Sequence, residues 1–155
     1  MSGATIRVED RQVRELLAAM SASLIDLKPA MKNIGEIVMT SIKENFEGHH
    51  GPDGTSWPPL DEGYAAWKQK KGRTAEDILL LSTDLLDSIA PKPAASSVEI
   101  GTGPQIVYAA IHQFGGRTGR GHAATMPPRP YMGVKDEDWV EIRRMLTKYL
   151  LKKTR

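Results

Sequence analysis

The sequence predicts an α+β fold: N-terminal helices and a C-terminal helix packed on a small antiparallel β-sheet, joined by long Pro/Gly-rich loops. Three observations carry this expectation. Apolar residues recur at three- and four-residue steps near both ends of the chain, as on one face of a helix. A short central segment alternates with the period of two that marks a strand. Between these lie stretches so dense in proline and glycine that no regular element accommodates them.

Taken in order, residues 11–27 place Val13, Leu16, Leu17, Met20, Leu24 and Leu27 on one helical stripe. Lys28-Pro29 interrupts it, because proline disfavours helix in the residue before it and suits the first turn of a new helix. The second helix carries Met31, Ile34, Val38, Ile42 and Phe46, with Gly48 as its expected terminator. A long loop follows, in which Pro52-Asp53-Gly54 reads as a tight turn and Trp57 and Leu60 are the large apolar groups able to pin it to the helices. Asp61 is placed to cap a short helix through Trp67, and the basic run Lys68, Lys70, Lys71 suits its C-terminal end. Ile78-Leu79-Leu80-Leu81 fits either helix or strand.

Ser82 or Thr83 caps a short helix bearing Leu85, Leu86 and Ile89, which Pro91 and Pro93 are expected to end. In residues 97–102 Val98 and Ile100 face one way, as in a strand, and residues 106–114 suit a short helix stopped by Gly115-Gly116. Residues 115–130 hold almost no large apolar side chain besides Met126 and are expected to form an extended basic loop, mobile in the free subunit. Pro127-Pro128-Arg129-Pro130 is extended by necessity. Tyr131-Met132-Gly133-Val134 suits a strand. Asp136 then caps a last helix with Trp139, Ile142, Leu146, Tyr149 and Leu150 on its buried stripe, acidic at its start and basic at its end. There is no internal repeat, and residues 1–155 are expected to form a single domain.

Hydrophobic residues make up 40% of the chain and aromatics only 6%, so the core must lean on aliphatic side chains. The absence of cysteine excludes disulfides, thiolate metal sites and a cysteine nucleophile. The N-terminus lacks the apolar core of a signal peptide, and no apolar run approaches the ~18–20 residues that span a bilayer. No membrane association is therefore expected, and the protein should be made in, and stay in, the cytoplasm until it is assembled into something. Net charge is only +2, but no Asp or Glu occurs between Ile100 and Lys135, where Arg117, Arg120, Arg129 and Lys135 lie. This makes a locally positive surface, and Arg117, Arg120, His122 and Arg129 are its candidate partner- or DNA-facing residues. It fits an acidic patch on the same molecule or a neighbour, or DNA phosphate. With no aromatic between Gly115 and Pro130, base stacking has no basis, and any DNA contact would be to the backbone.

Catalytic chemistry finds little support. His49 and His50 beside Asp53 contain ligand types, but adjacent histidines rarely aim at one ion and no HxxxH spacing exists. His112 has no serine or cysteine nucleophile in a recognisable setting, and reads as a buried histidine bonded to backbone. The glycine-rich runs Gly101-Thr102-Gly103 and Gly115-Gly116-Arg117-Thr118-Gly119 match no phosphate-binding fingerprint. No catalytic residue, metal or cofactor is expected.

Several spans are familiar as an ordered set. Asn45-Phe46 leads to Pro52-Asp53-Gly54, Trp57, Pro59 and Leu60, then to Ile78-Leu79 and Leu85 with Ser88-Ile89. Val98-Glu99-Ile100-Gly101-Thr102 precedes Tyr108-Ala109 and Ile111-His112-Gln113-Phe114-Gly115-Gly116, and Pro128-Arg129-Pro130-Tyr131-Met132-Gly133 precedes an acidic helix start. This set, over roughly residues 30–150, resembles the phage virion morphogenesis family of Mu-like phages, related to tail-completion proteins of P2-like phages. Its most specific part is His112-Gln113-Phe114-Gly115-Gly116 followed by Pro128-Arg129-Pro130. The chain has Ser82-Thr83-Asp84 where the resemblance would place Ser-Gly.

The resemblance implies a structural virion protein of the tail or neck that completes the tail and joins it to the head, without catalysis. It gives the quoted motif residues structural roles. It also implies a ring of copies, six-fold by analogy, with tail tube or tail terminator proteins and head connector proteins as partners. Non-specific contact with DNA passing through the neck fits the same picture. An alternative of another class is a DNA-binding or packaging accessory protein using the basic arm, which salt-dependent duplex binding would reveal. A metal-dependent enzyme at His49, His50 and Asp53 is a third, which stoichiometric zinc would reveal.

Overall fold

The computed structural model describes residues 3–5, 10–23, 25–74, 76–80 and 82–153. Helix α1 (Arg11–Ala22) starts where the Asp10 carboxylate accepts the Val13 amide at 2.9 Å, an N-cap. It ends before the predicted stripe does. Ser23 donates its amide and hydroxyl back to the Ala19 carbonyl, and Asp26 takes the Lys28 amide, so short polar side chains compete with continued helix. Leu24 lies outside the described residues. Leu27 is buried as the N-cap of α2 (Lys28–Gly48), and Pro29 sits in its first turn as expected.

Helix α2 buries Ala30, Met31, Ile34, Val38, Ile42 and Phe46 along one face. Its left-handed terminator is His49, at φ 52°, and not Gly48. A β-carbon on Gly48 would lie 2.5 Å from the His50 ring, which would have to turn aside. Asp61 caps α3 (Glu62–Lys70) through the Gly63 and Tyr64 amides. The 78–80 stretch is neither helix nor strand but a turn that buries Ile78 and carries Leu79 at φ 63°; Leu81 lies outside the described residues.

Helix α4 (Asp84–Asp87) delivers Leu85 to the core, and Ile89 is buried just beyond it. Pro91 and Pro93 do not end that helix. Both lie in β1 (Ala90–Pro93), antiparallel to β2 (Val98–Gly101) with Ala90 opposite Gly101 and Pro93 opposite Val98. A strand with one partner tolerates the two missing amides. This ladder packs on α2, where Gly35 admits Pro91 so closely that a β-carbon on Gly35 would lie 2.7 Å from the Pro91 ring.

Helix α5 (Ala109–Phe114) is shorter than the predicted 106–114, because the amides of Ile106 and Ala109 close tight turns onto Gly103 and Ile106. Residues 115–130 do not form an irregular loop. β3 (Gly116–Thr118) pairs antiparallel with β4 (Ala124–Met126), and residues 120–122 make a 3-10 turn at the tip. Gly119, Gly121 and His122 take φ of 80°, 67° and 56°, and Arg117 Nε donates to the His122 carbonyl at 3.1 Å. The glycines that suggested looseness are those that a left-handed reversal needs. Among the described residues the predicted single sheet is thus two separate two-stranded ladders.

Residues 131–134, expected to form a strand, join neither ladder. In α6 (Asp136–Lys153) the capping carboxylate is Asp138, not Asp136: it accepts the Lys135 amide at 2.9 Å and the Ser41 hydroxyl from α2. Ile142 and Leu146 are fully buried, while Trp139, Tyr149 and Leu150 flank them. Helix α2 therefore sits between the β1–β2 ladder and α6, and α1 packs on α6 through the Asp10–Arg143 ion pair at 3.0 Å. Among the described residues no helix is long and apolar enough to cross a membrane.

Gly35 sets two effects against each other. Alanine gains roughly 1 kcal/mol of helix propensity over glycine, whereas overpacking a tight contact costs about 1–3 kcal/mol. The Pro91 ring cannot swing aside, so Gly35→Ala is expected to lower stability in urea denaturation. A stabilised variant would show that β1 is not seated on α2 in this way.

Candidate functional site

Residues 129–133 are mostly buried and belong to neither ladder, so their polar backbone groups must be satisfied by other groups. Gln113 of α5 does most of this. Its Oε1 accepts the amides of Tyr131 and Met132, each at 3.0 Å, and its Nε2 donates to the Met132 carbonyl at 2.9 Å. Asn45 of α2 donates to the Tyr131 carbonyl at 3.0 Å, and Trp57 Nε1 donates to the Pro130 carbonyl at 2.8 Å. The Arg129 amide donates to the His112 carbonyl, and the Tyr131 hydroxyl to the Ala109 carbonyl.

Arg129 binds in the opposite direction. Its guanidinium reaches back to the carbonyls of Pro58 and Pro59 at 2.9 and 2.8 Å and fixes the Pro-rich loop. Burial pushes the Arg129 pKa down and the Tyr131 pKa up. Phe46 sits at the centre, edge-on to Trp57 with ring centres 5.7 Å apart and tilted against Tyr131 at 5.4 Å. The Pro52 ring rests on Gly133, where a β-carbon would come within 2.3 Å of it, and Gly54 completes the turn at φ 78°. Leu60 packs at the edge of the core.

This frame holds the root of the β3–β4 hairpin. Gly115, at φ 71°, brings the two ends together, since a β-carbon there would lie 2.8 Å from the Pro128 nitrogen. Beyond the root no residue from 116 to 125 is buried. Of the residues expected to face a partner, Arg117, Arg120 and His122 are exposed on this hairpin. Arg129 is not: it is 5% exposed and spent on the loop. Lys135 is likewise engaged, with Glu44 at 2.8 Å. Phe114, expected to be structural, is 59% exposed at the root of the hairpin, an apolar group on the surface that the motif reading missed.

The histidines have local roles. His112 lies edge-on to Tyr108, its Nδ1 is buried without a hydrogen-bond partner, and burial, then the Arg129 charge, push its pKa down. The reading of His112 as bonded to backbone through its ring is therefore corrected for Nδ1; the carbonyl, not the ring nitrogen, meets Arg129. His49 tilts against Trp57, and His50 Nδ1 lies 2.9 Å from the Gly51 carbonyl. Asp53 accepts the Thr55 amide and hydroxyl, which holds its carboxyl below the usual range. Among the described residues no three His, Asp or Glu side chains gather as metal ligands.

The model of the phage virion morphogenesis family matches residues 8–151. The chain is 37% identical over 99 residues to the putative capsid assembly protein G of Escherichia phage Mu, covering 63% of this chain and 62% of that protein. It is 27% identical over 147 residues to the Mu-like prophage FluMu G protein 2 of Haemophilus influenzae, covering 93% and 95% of the two chains. The FluMu G protein 1 of the same organism is 23% identical over 138 residues, covering 83% of each. No solved structure matches the chain.

Two outcomes follow from the frame. Trp57→Ala should cost about 3–5 kcal/mol by loss of a buried ring, and Trp57→Phe about 1–3 kcal/mol by orphaning the Pro130 carbonyl. Denaturation curves read both, and an unchanged alanine variant would free the ring for a binding role. His112 gives a pH dependence. Its folded pKa lies below the ordinary 6.5, so in that window the unfolded chain binds more protons. Stability from this group is present above 6.5 and is lost as pH falls toward the folded pKa. Melting temperature followed from neutral to mildly acid pH should show a fall that His112→Gln flattens. An equally steep fall in the variant would place the proton elsewhere.

Proposed function

The chain belongs to the phage virion morphogenesis family, and from that premise we propose that it completes the tail and joins it to the head as a subunit of a ring in the virion neck. Family membership makes its role one of virion structure or assembly. The finer reading is ours. Its partners are further copies of itself, the tail tube or tail terminator on one side, and the head connector on the other. Six copies would close the ring.

One observation carries this reading: an exposed hairpin is rooted in a buried frame. A subunit that must be fixed in shape yet reach its neighbours needs both parts. The converging polar groups Asn45 Nδ2, the Gln113 amide and the Arg129 guanidinium are spent on backbone groups. That supports structural work for this cluster over proton transfer or substrate binding.

The test removes the arm and keeps the frame. Joining Gly116 to Ala124 through a short turn should leave the melting temperature nearly unchanged and produce separate heads and tails by electron microscopy. Normal particles from the shortened chain would sink the reading, as would an image of the neck without a ring of this protein.

A further inference from the structure

We propose that the β3–β4 hairpin of one copy docks in the groove between α2 and the start of α6 on a neighbouring copy, so that each chain carries both halves of a head-to-tail contact. This deepens the ring reading and rests on it.

The groove has a volume of about 1080 Å³ and is lined by Glu36 and Ile37 of α2 and by Asp136, Glu137, Glu141 and Met145 of α6, among others. Its charge is strongly negative in a chain whose formal net charge is +2. Cations lie at the ends of α3 and α6 and on the hairpin. Arg129 and Lys135 are engaged inside the subunit, which leaves Arg117 and Arg120 at the hairpin as the available cations of the acid-free stretch. Among the described residues neither arginine forms an ion pair, and neither do Asp136, Glu137 and Glu141. Two complementary surfaces are thus present on one molecule and unpaired within it.

The hairpin packs on itself, with three residues in each strand and so a reach of roughly 10 Å. Both strands keep an open edge, which a partner can cover. Each surface also mixes charge with some apolar area: Phe114 at the arm's foot, and Ile37 and Met145 in the groove. Because the two surfaces differ, the contact is heterologous and propagates around a closed ring. DNA explains only half of it. Two arginines make a small phosphate footprint, and the carboxylate groove would repel nucleic acid. Exposed ion pairs are weak and screened, so association should be salt-sensitive.

The absence of cysteine makes the contact directly testable in the full chain. Arg120→Cys and Glu137→Cys are made in separate copies, mixed at high concentration and oxidised. A disulfide between copies should form well above the level of a control pairing Arg120→Cys with Glu15→Cys on α1. In parallel, Arg117→Glu with Arg120→Glu, and Glu137→Arg with Glu141→Arg, should each weaken self-association about ten-fold. Mixing the two reversed proteins should restore it. All these positions are exposed, and circular dichroism checks that the variants fold.

Cross-linking no better than the control would overturn the contact. So would charge reversal without effect, failure of the mixture to recover, or a wild-type chain that does not associate at all. Duplex binding lost on reversing the arm, with self-association intact, would give the hairpin to DNA. A ring in the neck with the cross-link elsewhere would overturn this contact and leave the ring reading standing.

Discussion

Gln113 makes one side-chain amide serve as a strand. An extended segment through a protein interior must find partners for each amide and carbonyl, and a sheet is the usual solution. Here Gln113 takes the amides of Tyr131 and Met132 and returns a hydrogen to the Met132 carbonyl. The net gain from each bond is only about 0.5–1.5 kcal/mol, but a buried amide left unpaired costs about 1–3 kcal/mol. Its weight therefore lies in what its absence would leave exposed to no partner. Asn45, Trp57 and Arg129 complete the same task from other elements, which is why residues scattered across the chain form one unit.

The larger elements were legible in the sequence because burial repeats along them. The stripes of α2 and α6, the Asp61 cap and the alternation at Val98 and Ile100 all follow from period and side-chain chemistry. The errors have a common cause: local composition does not report tertiary partners. Pro91 and Pro93 look like helix breakers until a neighbouring strand is present. Glycine in residues 115–130 reads as entropy until Gly119 and Gly121 turn the chain left-handed. Asp136 is the expected cap by position, but Asp138 also meets Ser41, which only the packed helix reveals.

The candidate site was legible in part and for a similar reason. The motif residues stood out as a group, and the structure brings Phe46, Pro52, Trp57, Gln113, Arg129 and Pro130 together around one segment. Sequence alone counted every arginine of the acid-free stretch as surface. A guanidinium with two carbonyls in reach is as well satisfied inside, as Arg129 is by Pro58 and Pro59. Removing Arg129 and Lys135 from the outer surface leaves the free arginines of the acid-free stretch on the hairpin, while carboxylates gather at the start of α6 and cations at its end. The near-neutral total conceals a polar molecule.

The frame also imposes an order on how the chain matures. Asn45 finds its partner 86 residues later and Trp57 finds its own 73 residues later. Phe46 and Trp57 emerge early in synthesis, yet the Tyr131 segment that covers them is made near the end. Contacts of such long sequence separation form late, since loop closure precedes any reward from them. A growing chain stopped before Met132 would carry α2 with the β1–β2 ladder against it, but without α6 and with the segment over Phe46 and Trp57 incomplete. Release of a nearly full-length chain is thus the step that commits the subunit to its shape, and truncated products would be recognisable to chaperones and proteases by the surface left uncovered.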